Sequence, residues 1–396
     1  MKTSASPAPP SRRDIFLELL RLGVSAYGGL AMLEPLRRLV VKRRGWLPQQ
    51  EFLDGLALCQ ILPGPTVVQM ATYVGCRLRG LSGALAAAAA FILPGLLLML
   101  GLSAVYHHFS ELGWVQGVSR GLNAMVLALL VQTIWQLGRP LARKWIDWLI
   151  AVGALGALGL GANYLLTFLG AALLKVAAAH LAPDDSSPSK AAGNLTRVDC
   201  RQRLFPGLAI LAAAALALAM LWRWDRVLAQ LSLVFLKIGA VSFGGAYVMI
   251  HLLQWEVVDL RGWLTVRQFL DGLLLSFVTP GPLMNLATFV GYWLRGWPGA
   301  AAATLSVYLP AMAFIVALFP YYQRLRELAW MRPAIQGILA ALVGMLALVT
   351  GQMARQAITG PKELAILAGA FLALTVCRIN LLWVAGATAA ISLAIF

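Results

Sequence analysis

The sequence has little charge for its length. Of its 396 residues, 12% are charged and 60% are hydrophobic. A soluble domain of this size needs a far more polar surface, so this composition is typical of a membrane protein. The apolar segments are long and rich in Ala, Leu and Gly, and they do not alternate with polar residues. They therefore predict an all-α polytopic membrane protein, surrounded by a lipid bilayer.

Acidic residues are especially scarce. The chain has 16 Asp and Glu against 32 Lys and Arg, which gives a formal net charge of +16. The bases lie at the ends of apolar segments rather than on a soluble basic face, as the positive-inside rule requires. We therefore expect no nucleic acid partner. We expect a multi-pass protein of the bacterial inner (plasma) membrane.

Cysteine and histidine are too few and too scattered to form a metal or redox site. There are four of each, and the cysteines show no CxxC spacing. The sequence also contains no phosphate-binding loop between a strand and a helix, and no nucleophile paired with a base. We predict no enzymatic activity, no metal and no cofactor. Uphill transport by this chain would therefore need an ion gradient.

One stretch in an apolar setting cannot form a continuous helix. Leu62 to Gly75 reads LPGPTVVQMATYVG, and Thr279 to Gly291 reads TPGPLMNLATFVG. Each proline (Pro63, Pro65, Pro280, Pro282) removes a backbone donor, while Gly64 and Gly281 allow backbone angles closed to other residues. Broken helices at membrane depth are tolerated where they line a cavity or are buried in protein. Two copies predict a transporter built from two related halves.

The whole chain repeats at an offset of 216 or 217 residues. FLDGL at 52–56 returns at 269–273, and Pro94 returns as Pro310. We predict a polar tail at 1–13 without a cleaved leader, a first repeat at 14–181 and a polar linker at 182–204. An unpaired transmembrane helix at 205–226 and a second repeat at 227–396 complete the organisation.

Segment counting predicts that the second repeat is inverted. There are about 13 apolar segments, and equivalent points in the halves are separated by seven of them. The Lys and Arg residues place the linker 182–204 in the cytoplasm. Five bases between Arg37 and Arg44 fit the same side only if the broken segments are re-entrant hairpins. Thirteen full spans remain the alternative.

The two breaks are the predicted substrate site. Helix N-termini carry about half a positive charge and free N–H donors, which suits a small dianion. Gln69 and Asn285 follow the breaks, where an amide could donate to an oxyanion or bond between helices. The predicted substrate-binding residues at the breaks and at the Gly-Gly pairs are Gly28, Gly29, Gly64, Thr66, Gln69, Gly244, Gly245, Gly281 and Asn285.

Four further charged residues match between the halves. Arg21 and Lys237 lie in apolar helices and are predicted to bind the anion, or to be snorkelling bases near helix ends. Asp54 and Asp271 are candidate proton carriers. Their structural alternative is to cap a helix or to pair with Arg44 and Arg261. Arg120 has Gln336 as its counterpart, so the repeat gives it no support.

Taken together, these motifs resemble the chromate ion transporter family. They are Tyr27-Gly-Gly and Phe243-Gly-Gly, the Gly-Trp-Leu and FLDGL motifs, Cys59-Gln-Ile-Leu-Pro-Gly-Pro65 with Gln69, and GLSGALAAAAAFILP at 80–94. The resemblance covers both halves, as in the long, two-domain form. Tyr27 is a mild departure, and Thr279 and Asn285 make the second repeat chemically different from the first.

The resemblance implies export of chromate from the bacterial cytoplasm, driven by the proton-motive force, with sulfate as a structural analogue. Chromate or a sulfate-like oxyanion and protons are then the expected partners, and a homodimer is an assembly to consider. Uptake of sulfate or another oxyanion is the first alternative, and a passive anion channel is the second.

Overall fold

A computed structural model describes residues 10–25, 32–110, 112–141, 145–181, 201–242, 246–281, 283–319, 330–377 and 379–396. These residues are almost entirely helical. In the first repeat the helices are α1 (Arg12–Ser25), α2 (Leu33–Arg37, continued by a π-helical turn Arg38–Arg43), α3 (Gln49–Ile61), α4 (Thr66–Phe109), α5 (Gly113–Leu141), α6 (Trp145–Gly159) and α7 (Tyr164–Leu181).

The second repeat has the same succession of helices. A connecting helix α8 (Arg201–Trp224) precedes it. It contains α9 (Arg226–Val241), α10 (Ala246–Gln254, continued by a π-helical turn Trp255–Leu260), α11 (Val266–Val278), a 3-10 turn Leu283–Asn285, α12 (Leu286–Leu318), α13 (Met331–Ala357), α14 (Pro361–Thr375) and α15 (Leu381–Ile395). Helix α8 begins at Arg201, inside the segment predicted as linker.

The first break is the tip of a helical hairpin. Helix α3 and residues 66–78 of α4 pack antiparallel, since Gly55 faces the Tyr73 ring and Glu51 pairs with Arg77. Helix α4 then reverses at Gly80, which has φ +62°, and continues as a long arm at 81–109. This path is the predicted re-entrant hairpin followed by a full span.

The second break has the same geometry. Gly272 of α11 faces the Phe289 ring of α12, so these helices also form an antiparallel hairpin. Helix α12 reverses at Gly296, which has φ +57°, and its long arm runs over 297–318. Both reversals use glycine because the positive φ disfavours any side chain.

The hairpins of the two repeats open at opposite ends of the molecule. At the start of the long arm of α4, Arg79 donates to the Pro10 carbonyl (2.8 Å), at the base of the first repeat. At its other end the Tyr106 ring lies 6.1 Å from the Trp293 ring, at the base of the second repeat. Ala84 of α4 contacts Val316 of α12, so the two long arms run antiparallel. This arrangement is the inversion that segment counting predicts.

The two repeats also exchange helix contacts. Helix α13 packs on α6 and α7 of the first repeat, and α5 packs on α14 and α15 of the second. The matched glycines Gly121 and Gly337 lie at these contacts, against Ser392 and Ala171 respectively. A bulkier residue at either position would push the helices of the two repeats apart.

Within the described residues, six helices are long and apolar enough to cross a membrane. Their spans are Thr66–Phe109, Gly113–Arg139, Tyr164–Leu181, Gly207–Trp224, Leu286–Leu318 and Pro333–Ala357. Trp145–Gly159 and Leu381–Ile395 are shorter apolar helices. The long arm of α4 measures about 40 Å at 1.5 Å per residue, enough to cross the hydrocarbon core. The chain is therefore a multi-pass membrane protein.

Candidate functional site

The first break is formed by the backbone geometry of residues 62–66. Leu62 is extended, Gly64 has φ +130°, and α4 starts at Thr66 without a side-chain cap. The N–H groups in the first turn of a helix have no intrahelical acceptor. Here they belong to buried residues and point towards the break. The N–H of Gly64 donates to the Ser242 carbonyl at the end of α9 (2.7 Å).

The second break differs in its chemistry. Gly281 has φ +106°, and a single 3-10 turn precedes α12. Thr279 donates to the Ser276 carbonyl (3.0 Å) and accepts from the Asn285 amide (3.2 Å). The second tip therefore carries a hydroxyl where the first has the apolar Leu62. Pro282 lies outside the described residues.

Each tip is seated on the long arm of the other repeat. A Cβ at Gly64 would lie 2.6 Å from the Ala311 Cβ of α12. A Cβ at Gly95 of α4 would lie 2.6 Å from the Asn285 amide nitrogen at the second tip. Gly95 and Ala311 occupy equivalent positions, each one residue after the matched prolines Pro94 and Pro310. The two breaks thus approach the middle of the molecule from opposite ends.

The amides predicted to contact substrate bond within their own breaks. The Gln69 amide donates to the Pro63 carbonyl (2.7 Å), and the Asn285 amide donates to the Pro280 carbonyl (3.1 Å). Their carbonyl oxygens are buried and have no hydrogen-bond partner among the described residues. These amides therefore stabilise the breaks in this conformation. Donation to an oxyanion would require them to leave these bonds.

Arg21 and Lys237 lie on α1 and α9, outside the two breaks. Arg21 bonds Glu18 on its own helix (3.4 Å), and Lys237 bonds Glu256 of the π-helical turn after α10 (2.5 Å). The Arg21 side chain is 72% exposed and that of Lys237 is 39% exposed. Their repeat equivalence is real, but neither side chain makes a hydrogen bond or ion pair with a described residue of a break.

Arg44 and Arg261 complete the same two clusters. Arg44 pairs with Glu18, and Arg261 pairs with Glu256. The suggested pairing of these arginines with Asp54 and Asp271 is therefore wrong. Each repeat holds two matched cations around one buried carboxylate. This carboxylate lies on α1 in the first repeat and in the π-helical turn after α10 in the second. Sequence matching missed the role of Glu18 and Glu256 because their positions do not correspond.

Arg21 lines a basic cavity in the first repeat. The cavity measures about 240 Å³ and lies between α1 and α2. Its charged side chains are those of Glu18, Arg21, Arg38 and Arg43. Glu34 bonds Arg38 (2.9 Å), but the cations still outnumber the carboxylates, and the net positive charge attracts a small anion.

The two candidate proton carriers differ in burial. Asp54 is partly exposed and only Gln50 bonds it (3.4 Å) among the described residues. Asp271 is 2% exposed and accepts from the Tyr106 hydroxyl of α4 (2.6 Å), while its other oxygen has no partner there. Asp54 and Asp271 occupy equivalent positions in the two repeats, but packing buries only Asp271. The predicted glycines Gly28, Gly29, Gly244 and Gly245 lie outside the described residues.

Comparison with known proteins identifies the family to which the sequence is similar. The chromate transporter family matches residues 13–176 and 229–393. A chromate transport protein of Pseudomonas aeruginosa is 34% identical over 370 residues, which cover 89% of this chain and 83% of that protein.

More distant relatives cover a similar share of the chain. An uncharacterized transporter of Methanocaldococcus jannaschii is 30% identical over 86% of this chain and 84% of its own length. A chromate transport protein of Cupriavidus metallidurans is 29% identical over 84% and 80% respectively. No solved structure matches the chain.

Proposed function

Since this chain belongs to the chromate transporter family, we propose that it exports chromate, or a sulfate-like oxyanion, from the bacterial cytoplasm. The transport is secondary active and draws on the proton-motive force. The observation that carries the proposal is the pair of hairpin tips, which enter from opposite ends and sit on the long arms of the opposite repeats.

The tips have the chemistry to receive a dianion. Two helix N-termini supply together about one positive charge, with N–H donors that need no proton transfer. Gly64 and Gly281 keep the approach to these donors free of side chains. We propose that Thr66, Gln69 and Asn285 complete the site when the amides are released from their breaks.

The cavity beside Arg21 is the proposed cytoplasmic entrance. Its net positive charge concentrates anions before they reach the tips. Lys237 has the matching place in the second repeat, where Glu256 holds it more tightly. On this proposal, the chain lies in a bacterial inner membrane. The Lys and Arg residues of the first repeat and the linker 182–204 are on its cytoplasmic side.

Membrane potential alone favours the outward direction. A dianion leaving an interior at −100 mV gains about 4.6 kcal/mol, at about 2.3 kcal/mol per charge. Coupling to protons needs a carboxylate that changes its protonation during the cycle. We assign this role to Asp271 rather than Asp54, because Asp271 is buried and one of its oxygens is unbonded among the described residues.

Labelled chromate uptake by inverted membrane vesicles tests the proposal. Vesicles that contain the chain should accumulate chromate when they respire, and an uncoupler should abolish the accumulation. Collapse of the potential alone, with the pH gradient preserved, separates proton coupling from simple anion movement. Accumulation that disappears when the potential alone is collapsed would favour a passive channel. Accumulation only in right-side-out vesicles would favour uptake.

A further inference from the structure

A second basic cavity lies where the hairpins of the second repeat open. It measures about 280 Å³ and is bounded by the start of α5, the start of α11 and the end of α13. Its polar lining is formed by Arg120, Asn123, Thr265, Arg267, Gln356 and Thr359. We call it the α5–α11 cleft. It is distinct from the breaks and from the cavity beside Arg21.

Helical spacing brings its two arginines together. On α5, Gln116, Arg120 and Asn123 recur at intervals of four and three residues, so they share one face. On α11, Arg267 starts the face that ends with Asp271. Arg267 donates to the Gln116 carbonyl (3.3 Å), which fixes the two faces against each other. Arg120 makes no hydrogen bond or ion pair with any described residue and is free to bind a ligand.

The other groups around the cleft leave it positive. Asp271 lies beneath, beside Ser119 and Asn123, and accepts from Tyr106. Glu363 accepts a hydrogen bond from Thr359 (3.0 Å). The buried side-chain carbonyl oxygen of Asn123 has no hydrogen-bond partner among the described residues. The wall of the cleft therefore carries an acceptor without a donor. Two guanidinium groups face the open space itself, and guanidinium groups bind the oxygens of small anions in pairs.

Neither arginine is repeated at the equivalent position of the other repeat. Arg120 corresponds to Gln336, and Arg267 corresponds to Gln50. The repeat alone therefore does not require these charges for folding. We propose that the α5–α11 cleft is a binding site for a small tetrahedral oxyanion, separate from the transport path between the tips. The proposal does not rest on the transport function.

Cysteine protection tests this site without any need for transport. The full chain would carry Gln356→Cys, an exposed residue of the cleft, with Cys200 and Cys377 replaced by Ser. Reaction with a neutral maleimide is then followed with and without sulfate at constant ionic strength. The rate should fall by about threefold when sulfate reaches twice its Kd, because protection follows 1 + [L]/Kd.

The matched control is Gln336→Cys, at the other end of the same helix. Its labelling rate should not respond to sulfate. Arg120→Gln should weaken the protection of Gln356→Cys, and the double variant with Arg267→Gln should lose it. Arg120→Gln removes no hydrogen bond or ion pair between described residues, so we expect this variant to stay folded. Equal labelling rates with and without sulfate in the parent would overturn the proposal, as would full protection in the double variant.

Discussion

The seating of the first tip on Ala311 gives a prediction with a defined size. Gly64→Ala would place a Cβ 2.6 Å from the Ala311 Cβ and 2.9 Å from the Gln69 amide, at a φ of +130°. The backbone strain costs about 1–3 kcal/mol. Overpacking costs about 1–3 kcal/mol more. The variant should thus lose about 2–6 kcal/mol of stability and most of its transport.

Ala311→Gly should rescue part of that loss. Alone it removes a buried methyl group and adds a helix glycine, at a cost of about 1–2 kcal/mol. In combination with Gly64→Ala it relieves the overpacking, so the cycle should show a favourable coupling of about 1–3 kcal/mol. The free energy of unfolding is measured by a mixed-detergent titration for the parent, the two single variants and the double variant.

Gly281→Ala is the matched control for this cycle. Its Cβ would meet nothing closer than the Asn285 amide at 3.4 Å, so only the strain at φ +106° applies. Ala311→Gly should leave its cost unchanged. If Ala311→Gly fails to couple with Gly64→Ala, or couples equally with Gly281→Ala, the first tip does not rest on Ala311.

Three further predictions follow from the charged residues. Glu256→Gln should lower the free energy of unfolding by about 3 kcal/mol and Glu18→Gln by about 1 kcal/mol. The difference is expected because the cationic partners of Glu256 are less exposed than those of Glu18. Equal losses, measured by unfolding in detergent, would contradict this prediction. Asp271→Asn should abolish chromate flux driven by a pH gradient in vesicles held at zero membrane potential, while Asp54→Asn should retain it. The reverse result would reassign the proton carrier. The N–H groups of Leu228 and Val227, with Arg295, lower the pKa of Asp225 at the start of α9. The ionised carboxylate therefore stabilises the fold at neutral pH, and this stabilisation is lost on acidification. Asp225→Asn should lower the unfolding temperature at pH 7, by an amount that shrinks as the pH falls below the ordinary pKa of 3.8.

The broken hairpins and the inversion could be predicted from sequence. Proline and glycine restrict the backbone locally, so Pro63 and Gly64 mark a break whatever surrounds them. The offset between the repeats is likewise a property of the chain itself. Inversion follows from the segment count, and the contacts at the two ends of the long arm of α4 confirm it.

The partners of the charged residues could not be predicted in this way. Pairing with Arg44 was one structural alternative for Asp54, but packing brings Arg44 to Glu18. The carboxylate of the second cluster, Glu256, lies in the π-helical turn after α10. This position is not equivalent to that of Glu18, so a comparison of the repeats does not identify it. Ion pairs depend on tertiary packing, which a period of 216 residues does not encode.

Equivalence in sequence also hid a difference in burial. Asp54 and Asp271 belong to identical FLDGL motifs, yet only Asp271 is enclosed by α4 and α5. Arg120 was set aside because Gln336 replaces it in the other repeat. On our proposal for the α5–α11 cleft, such unmatched residues give the two halves different chemistry.

Flux through purified protein tests the central claim most directly. The chain would be reconstituted into liposomes preloaded with unlabelled chromate, and entry of labelled chromate by counterflow would be followed. Transport through the tips predicts transient accumulation above equilibrium, competition by sulfate, and loss of both in correctly folded Gly281→Val. Entry no faster than in protein-free liposomes would contradict oxyanion transport, and undiminished counterflow in Gly281→Val would place the path elsewhere.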